Sequence, residues 1–386
     1  MNFVYLSPHF PPNYHQFCVH LNNLGVNVLG LADENYDGMD ARLKAALREY
    51  YRVSNMHNYD ELLRALGYFT HRYGKIDRVE SLNEYWLETE AQLRTDFNIF
   101  GVKNDIIQTI KRKSLMKNKF AEAGVPVARG RVAKSLAEAQ ALIDETGYPL
   151  VAKPDIGVGA AKTYKIHNKT ELADFFATKP DVDYILEEFV AGNILTFDGL
   201  TDRDGKLVFY NSLQYSQGIM ETVVADDLIY YYTLRNIPAD LEDAGRRVLK
   251  AYDVRERFFH FEFFRKADGN IVALEVNMRP PGGMTTDMFN YANNIDIYKE
   301  WAHVVAYNHF TADVERPYHC GYVGRKFNRS YAHSHQDVLD MVGARMCHHE
   351  DISGIFSAAL GNYGYIVRSP ELGEIIEMAE YIQEMA

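Results

Sequence analysis

Residues 260–283 read HFEFFRKADGNIVALEVNMRPPGG: two apolar runs on either side of Asp268-Gly269, a dipeptide that suits a two-residue hairpin turn because the turn needs positive φ. The runs are therefore expected to be paired strands. With Asp268 and Gly269 as the turn, Glu262 falls directly opposite Glu275. Strand alternation then puts Ile271, Ala273, Glu275, Asn277 and Arg279 on one face and Val272, Leu274 and Val276 on the other. Like charges facing each other repel, and carboxylates on a half-buried sheet lose hydration without compensation. A hard divalent cation removes both penalties. Mg²⁺ prefers oxygen ligands and completes its octahedron with phosphate oxygens and water. The bland alternative is a solvated face whose charges pair with surface lysines. A longer loop from Lys266 to Asn270 would shift the register by one.

Working outward, the 386 residues suffice for two or three domains, each with its own core. Composition is that of a globular protein, with 47% hydrophobic and 24% charged residues. No apolar run approaches the eighteen residues of a membrane span, and the opening MNFVYLSPHF does not have the form of a secretory signal. A formal charge of −12 argues against nucleic-acid partners and against anchoring on an anionic membrane. Three dispersed cysteines, Cys18, Cys320 and Cys347, make no disulfide framework and fit a reducing, cytoplasmic setting.

The first hundred residues alternate short apolar runs (NFVYLS, VNVLGLA, KIDRVESL) with helical patterns (YHQFCVHLNNLG, ARLKAALREYY), as expected for an open α/β layer with a parallel sheet. The loop after the first strand, SPHFPPNYH, has no glycine-rich dinucleotide fingerprint, which disfavours NAD. It is either an ordinary Pro-stiffened loop or a ligand loop presenting His9, Asn13, Tyr14 and His15. DIIQTIKRKSLMKNKFAEAG suggests one basic amphipathic helix ending at Gly124. Beyond it come the helix SLAEAQALIDETG, the strand YPLVAKP, the loop DIGVGAAK, the strand TYKI and the helix ELADFFAT. Gly199 to Lys206 superficially resembles a phosphate loop, but its spacing is wrong and Asp204-Gly205 makes it a hairpin turn. His333, His335, Cys347, His348 and His349 match no regular zinc spacing.

Lys113 in a helix, Lys153 on a strand, the glycines Gly157 and Gly159, the pair Glu187-Glu188 before Phe189-Val190, and finally the acidic hairpin form an ordered set. In that order the chain resembles the ATP-grasp superfamily over essentially its whole length, most closely at ALEVNMRPPGG. The resemblance implies an α/β and α+β protein in three parts. These are an N-terminal α/β domain (1–105), a two-lobed ATP-grasp clamp (106–318, with a small lid lobe at about 115–185) and a C-terminal segment (319–386) completing the clamp. It also implies ATP and Mg²⁺ (or Mn²⁺) as cofactors. Glu262, Glu275 and Asn277 would ligate the metal, while Lys113, Lys153, Gly157 and Gly159 would hold the phosphates. The backbones of Glu187 and Val190 would meet the adenine and Leu274 would pack on it. Arg279 and Lys153 would act in catalysis, with Arg279 steadying the anionic substrate or acyl phosphate.

The implied activity is an ADP-forming ligase that activates a small carboxylate, an amino acid by this reading, as an acyl phosphate and joins it to an amine. Phosphoryl transfer of this kind needs neutralised oxygens and a loop that excludes water. Two departures stand out: DIGVGAAK is poor in glycine, and Ile194 occupies the position where relatives hold the ribose with an acid, leaving Asn193 or Asp198 as substitutes. The alternatives are a carboxylase-like or purine-pathway ligase of the same clamp, or a nucleotide-binding regulatory protein without turnover. Substrate-pocket candidates are His9, Tyr14, Glu84, Tyr215 and Arg325, and the 13% aromatic content would permit a homodimer interface.

Overall fold

The computed structural model describes residues 1–157, 162–218, 222 and 226–386, and among them the strands form three sheets. The first holds β1 (Asn2–Leu6), β2 (Asn27–Ala32), β3 (Glu49–Arg52) and β4 (Arg78–Glu80) in the order β3-β2-β1-β4, and every pair is parallel. β1 is buried along its whole length, as the central strand of a parallel sheet covered on both faces must be. The expected helix over ARLKAALREYY is only Ala41–Ala46. The remainder turns extended at Leu47 and becomes β3, pairing Leu29 with Glu49. Pairing to a ready strand edge overrides the helical propensity of the segment.

The second sheet is antiparallel: β5 (Gly130–Val132), β6 (Leu150–Pro154), β7 (Tyr164–Ile166) and β8 (Tyr184–Glu188) in the order β5-β8-β6-β7. Helices Leu136–Thr146 and Lys169–Thr178 cover it through a small core that includes Leu142, Leu150, Leu172, Phe175 and Leu186.

The third sheet has nine strands. They are β9 (Asn193–Thr201), β10 (Leu207–Asn211), β11 (Leu213–Tyr215), β12 (Tyr230–Thr233), β13 (Phe258–Arg265), β14 (Ile271–Asn277), β15 (His319–Arg325), β16 (Met346–Asp351) and β17 (Tyr363–Ser369). The order is β14-β13-β9-β11-β12-β15-β17-β16, with β10 beside β9, so residues after 318 supply three strands of the same sheet. One face packs Phe197, Phe259, Phe261 and Phe263 against the helices Ala239–Tyr252 and Lys113–Glu122. The other packs Leu200, Phe258, Tyr231 and Tyr322 with Phe3, Tyr5, Phe17 and Trp301, which joins the N-terminal layer to the large sheet. Among the described residues no helix is long and apolar enough to cross a membrane.

The opening hairpin differs from expectation in two places. The turn holds three residues, Ala267-Asp268-Gly269, closed by Lys266 N to Asn270 O at 3.0 Å and Gly269 N to Lys266 O at 2.9 Å. Next to the turn the register is therefore shifted by one, with Arg265 opposite Ile271 and Phe263 opposite Ala273. A bulge at Leu274 then absorbs the extra residue, so that Glu262 faces Glu275 and His260 faces Asn277. The two deviations cancel where the acids sit. They also correct the expected faces: Ala273 and Ile271 side with Val276 in the core, and Leu274 does not.

The single helix expected between Asp105 and Gly124 is likewise two, Ile107–Lys111 and Lys113–Glu122. Arg112 between them is extended (φ −96°, ψ 117°) and bridges Ile156. The break is held from outside by buried Asp155. Its carbonyl accepts Lys113 N at 2.9 Å, and its carboxylate accepts Ser114 N at 2.8 Å and the Ser114 hydroxyl at 3.0 Å. The Asp155 side chain thus does the work of an N-cap from a distant strand end. The Gly199–Lys206 stretch is a hairpin, closed by Asp202 N to Lys206 O at 3.0 Å, with Gly205 at φ +81°.

Candidate functional site

The helix break determines where the first lysine points. As the first residue of its helix, Lys113 is 7% exposed; its ammonium donates to Gly157 O at 3.1 Å and pairs with Glu275 Oε1 at 3.1 Å. One helical turn on, Lys117 projects from the same face, donates to Ala128 O at 2.7 Å and pairs with Glu187. Lys153 on β6 reaches the other oxygen of Glu187 at 2.5 Å. Glu187 sits on β8 opposite Val151, which shares the face of Lys153. Burial alone would raise the Glu187 carboxyl, but the two ammonium groups hold it below the usual carboxylate range. For Lys153, burial works against the charge, and the Glu187, Glu275 and Glu262 carboxylates together overcome it and raise its pKa. Burial lowers Lys117, with Glu187 opposing.

Glu262 and Glu275 face each other on β13 and β14, and Glu262 is oriented from behind. The His260 ring, two residues before it on the same face, bonds Asp198 Oδ1 at 2.6 Å through Nδ1 and Glu262 Oε1 at 3.0 Å through Nε2. Burial would lower the imidazole, yet the flanking carboxylates push it up to about 9, so at neutral pH both ring nitrogens donate. Asp198 is fully buried and takes a further bond from the Thr196 hydroxyl at 2.5 Å. One oxygen of Glu262 is thereby committed to His260. Glu275 and Asn277 lie on β14 on the face of Glu262, while Leu274, outside the core clusters, sits at the bulge beside them.

Arg279 follows the acidic strand. Its Nη1 donates to Pro280 O at 2.7 Å and its Nε lies 3.6 Å from Glu84 Oε2. Glu84 in turn pairs with Lys111 at 2.7 Å, which brings the N-terminal layer to the edge of the site. Beneath Arg279 lies a buried network. Arg257 places Nη2 2.8 Å from both oxygens of Glu80 and 3.2 Å from Glu90, and its Nη1 donates to Met278 O at 2.8 Å. Arg94 pairs with the same two acids at 2.8 and 2.7 Å. The main chain between Asn277 and Arg279 is thus anchored to a guanidinium.

The structure therefore brings together Lys113, Lys153, Glu187, Glu262, Glu275 and Gly157, with Asn277 ending the acidic strand and Arg279 just beyond it. Gly159 lies outside the described residues. Glu187 has its main chain between β5 and β8's other neighbour β6, whereas Val190 is in the connection between β8 and β9, outside any strand. Asp198 is taken up by His260 and Asn193 is exposed. The loop after β1 is mostly structural: Asn13 bonds Asp287 at 2.8 Å, Tyr14 is in the core and His15 bonds Pro12 O at 2.7 Å, while buried His9 Nδ1 has no partner among the described residues. Tyr215 is stacked on Tyr231 at 5.0 Å on the Glu262 face. Among the C-terminal histidines, His335 and His349 meet edge to face at 5.1 Å and bond the hydroxyls of Tyr365 and Tyr363 at 2.9 and 2.6 Å, while His333 stacks on Tyr381. Sequence reading missed His260, Lys117 and Arg257. For His260 the alternation with Glu262 was the available signal; Arg257 carried none, since its partners come from distant segments.

A family model described as an ATP-grasp domain matches residues 146–287. The L-arginine-specific L-amino acid ligase of Bacillus subtilis is 23% identical over 245 residues, which is 61% of this chain and 59% of that protein, so the alignment spans less than two thirds of the relative. The carbamoyl phosphate synthase large chain of Clavibacter michiganensis is 34% identical over 98 residues, 24% of this chain and 9% of its own. Among solved structures, an L-amino acid ligase from Bacillus licheniformis superposes with a TM-score of 0.77 at 14% identity, covering 100% of this chain and 97% of that one. N5-carboxyaminoimidazole synthetase from Staphylococcus aureus gives 0.72 at 13%, covering 98% and 96%. Residues 146–287 are thus similar to an ATP-grasp domain, and the chain as a whole has the fold of these two enzymes.

Proposed function

We propose that the protein is an ADP-forming carboxylate–amine ligase that activates a small carboxylic acid, an amino acid by preference, and joins it to an amine. The observation that carries this reading is the convergence of two lysines from separate elements, Lys113 and Lys153, on the facing acids Glu262 and Glu275. The donor set suits Mg²⁺ bound to ATP: two carboxylates and the Asn277 amide are hard oxygen ligands on one side of a hairpin, and the adjacent ammonium groups suit phosphate oxygens. When bound, the metal would neutralise charge on the β- and γ-phosphate oxygens.

The chain's own residues then have distinct tasks. His260 holds Glu262 in one rotamer by fixing its Oε1. Lys153 and Lys117 share Glu187, so arriving phosphate oxygens meet cations that are already positioned. Arg279, steadied through Pro280 O and Glu84, would hold the substrate carboxylate. A carboxylate oxygen attacks the γ-phosphorus and the bond to the β-phosphate oxygen breaks, releasing ADP. The amine nitrogen then attacks the acyl carbon, loses a proton and expels phosphate. The domain division expected from sequence, 1–105, 106–318 and 319–386, remains part of this proposal, as does a homodimeric, cytoplasmic enzyme.

The test is phosphate release from MgATP across a panel of single amino acids, amines and their pairs. Release that requires an acid and an amine together supports the ligase. Bicarbonate-dependent release would favour the carboxylase-like reading, and ATP binding without release under every combination would refute catalysis.

A further inference from the structure

On the far side of the large sheet from Glu262 lies a cavity of about 340 Å³, within the range of small-molecule sites. Strand alternation separates the two. On β15, Tyr322 faces the layer that holds Tyr231 and, through it, Tyr215, whereas Val323 and Arg325 face the helix Leu372–Gln383. Tyr365, opposite Val323 on β17, and Tyr363, opposite Arg325, line the same side.

The walls combine aromatic surface with unbalanced positive charge. Phe327, Tyr331, Tyr363 and Tyr365 provide apolar area, and Phe327 is 72% exposed at the mouth. Of the three cations, Lys326 pairs with Asp226 at 2.7 Å and Arg329 with the same acid at 3.6 Å. Arg325 is 7% exposed and has no acidic partner among the described residues. Its Nε donates to Ile382 O at 2.6 Å, its guanidinium lies over the Tyr331 ring at 4.3 Å, and its Nη2 has no hydrogen-bond partner among the described residues. A buried guanidinium without a counter-ion is unfavourable, and a planar fork with unused donors suits a carboxylate.

We propose that this cavity is a second binding site, for a small acid with an apolar or aromatic body: the carboxylate neutralises Arg325 and the body lies against Phe327 and the tyrosines. The carboxylate belongs either to a free metabolite or to the C-terminus of a peptide. The site does not depend on the ligase reading, because it shares no residue with the ATP-grasp cleft.

The test titrates the full-length chain with phenylacetate, phenylacetamide, inorganic phosphate, and the dipeptide Gly-Phe with and without C-terminal amidation, followed by calorimetry. Phenylacetate should bind at one site with Kd below about 1 mM, and phenylacetamide at least tenfold more weakly, tenfold being about 1.4 kcal/mol. Arg325→Lys, which keeps the charge but removes the fork, should weaken phenylacetate about tenfold or more. Phe327→Ala, at an exposed position where folding is not at stake, should weaken it severalfold. Both variants should leave MgATP binding unchanged, and Glu275→Gln should leave phenylacetate binding unchanged. Tighter binding of Gly-Phe than of phenylacetate assigns the site to a chain terminus, and the reverse order to a free acid. Equal binding of phenylacetamide, phosphate binding as tightly as phenylacetate, indifference to both variants, or no binding at about 10 mM would each overturn the proposal.

Discussion

Replacing Arg257 by Met removes one of two guanidinium groups from a buried cluster of four charges. In the native protein, Glu80 and Glu90 are balanced by Arg94 and Arg257, and the Arg257 side chain is 4% exposed. The variant keeps an apolar stem of similar length but leaves one carboxylate uncompensated and Met278 O without its donor. Breaking a buried pair from one side costs about 3–5 kcal/mol. At roughly 2–4 °C per kcal/mol for a domain of this size, the thermal midpoint should fall by about 6–20 °C. Charge balance can be restored separately: Arg257→Met with Glu80→Gln should recover at least half of the loss. The deficit should also shrink in acid. Burial raises the Glu80 carboxyl above its ordinary value, with Arg257 and Arg94 opposing, so removing Arg257 raises it further. A raised folded-state pKa means that the folded form gains stability as pH drops and loses it as pH rises through that value. Differential scanning calorimetry of the two variants at neutral and mildly acidic pH provides the measurement. A fall of less than about 3 °C, or no recovery in the double variant, would refute the charge-balance reasoning. Catalysis adds a second readout, since loosening Met278 should lower kcat through Arg279 while MgATP still binds.

Glu275→Gln should abolish ADP release, because it removes the negative charge that balances Lys113 and would hold a divalent cation, while circular dichroism remains native; ordinary turnover would remove Glu275 from the metal site. Lys153→Met should abolish turnover as well and leave Glu187 with Lys117 alone. For pH, the Glu187 carboxyl is held low by Lys153 and Lys117 against the effect of burial. Its contribution to stability is therefore complete above the ordinary glutamate value of 4.5 and is lost as pH falls below it. Glu187→Gln should flatten that acid limb in a melting-temperature profile, and an unchanged limb would count against the pairing. Gly245→Ala places a methyl group 2.2 Å from the Phe197 ring, and overpacking of this kind should cost about 1–3 kcal/mol in a chemical denaturation curve.

The acids of the hairpin were legible because strand alternation is local and like charges face to face demand an explanation. The turn itself was misjudged by one residue, and the pairing survived because a bulge at Leu274 compensates, which no turn signal announces. The division of the basic helix at Arg112 was not legible. No Gly or Pro marks it, and its cause is Asp155, which is distant in sequence. The same holds for the Arg257 cluster, whose members come from β4, the Leu87–Asp96 helix and the residue just before β13. The third strand of the first sheet was lost to helix because its residues are neutral in propensity and its edge position is a tertiary fact. The parallel N-terminal sheet, the helices near 136 and 239 and the closing helix followed from periodicity alone.

β15 joins β12 to β17, so the large sheet is bridged by a strand that is made well after its neighbour β12. Until those residues leave the ribosome, Tyr230–Thr233 presents an open row of amides and carbonyls on an aromatic-rich edge, a template for pairing with a neighbouring molecule. A chain stopped near residue 318 would carry that exposed edge permanently, although the acidic hairpin and both lysines that face it had already been made.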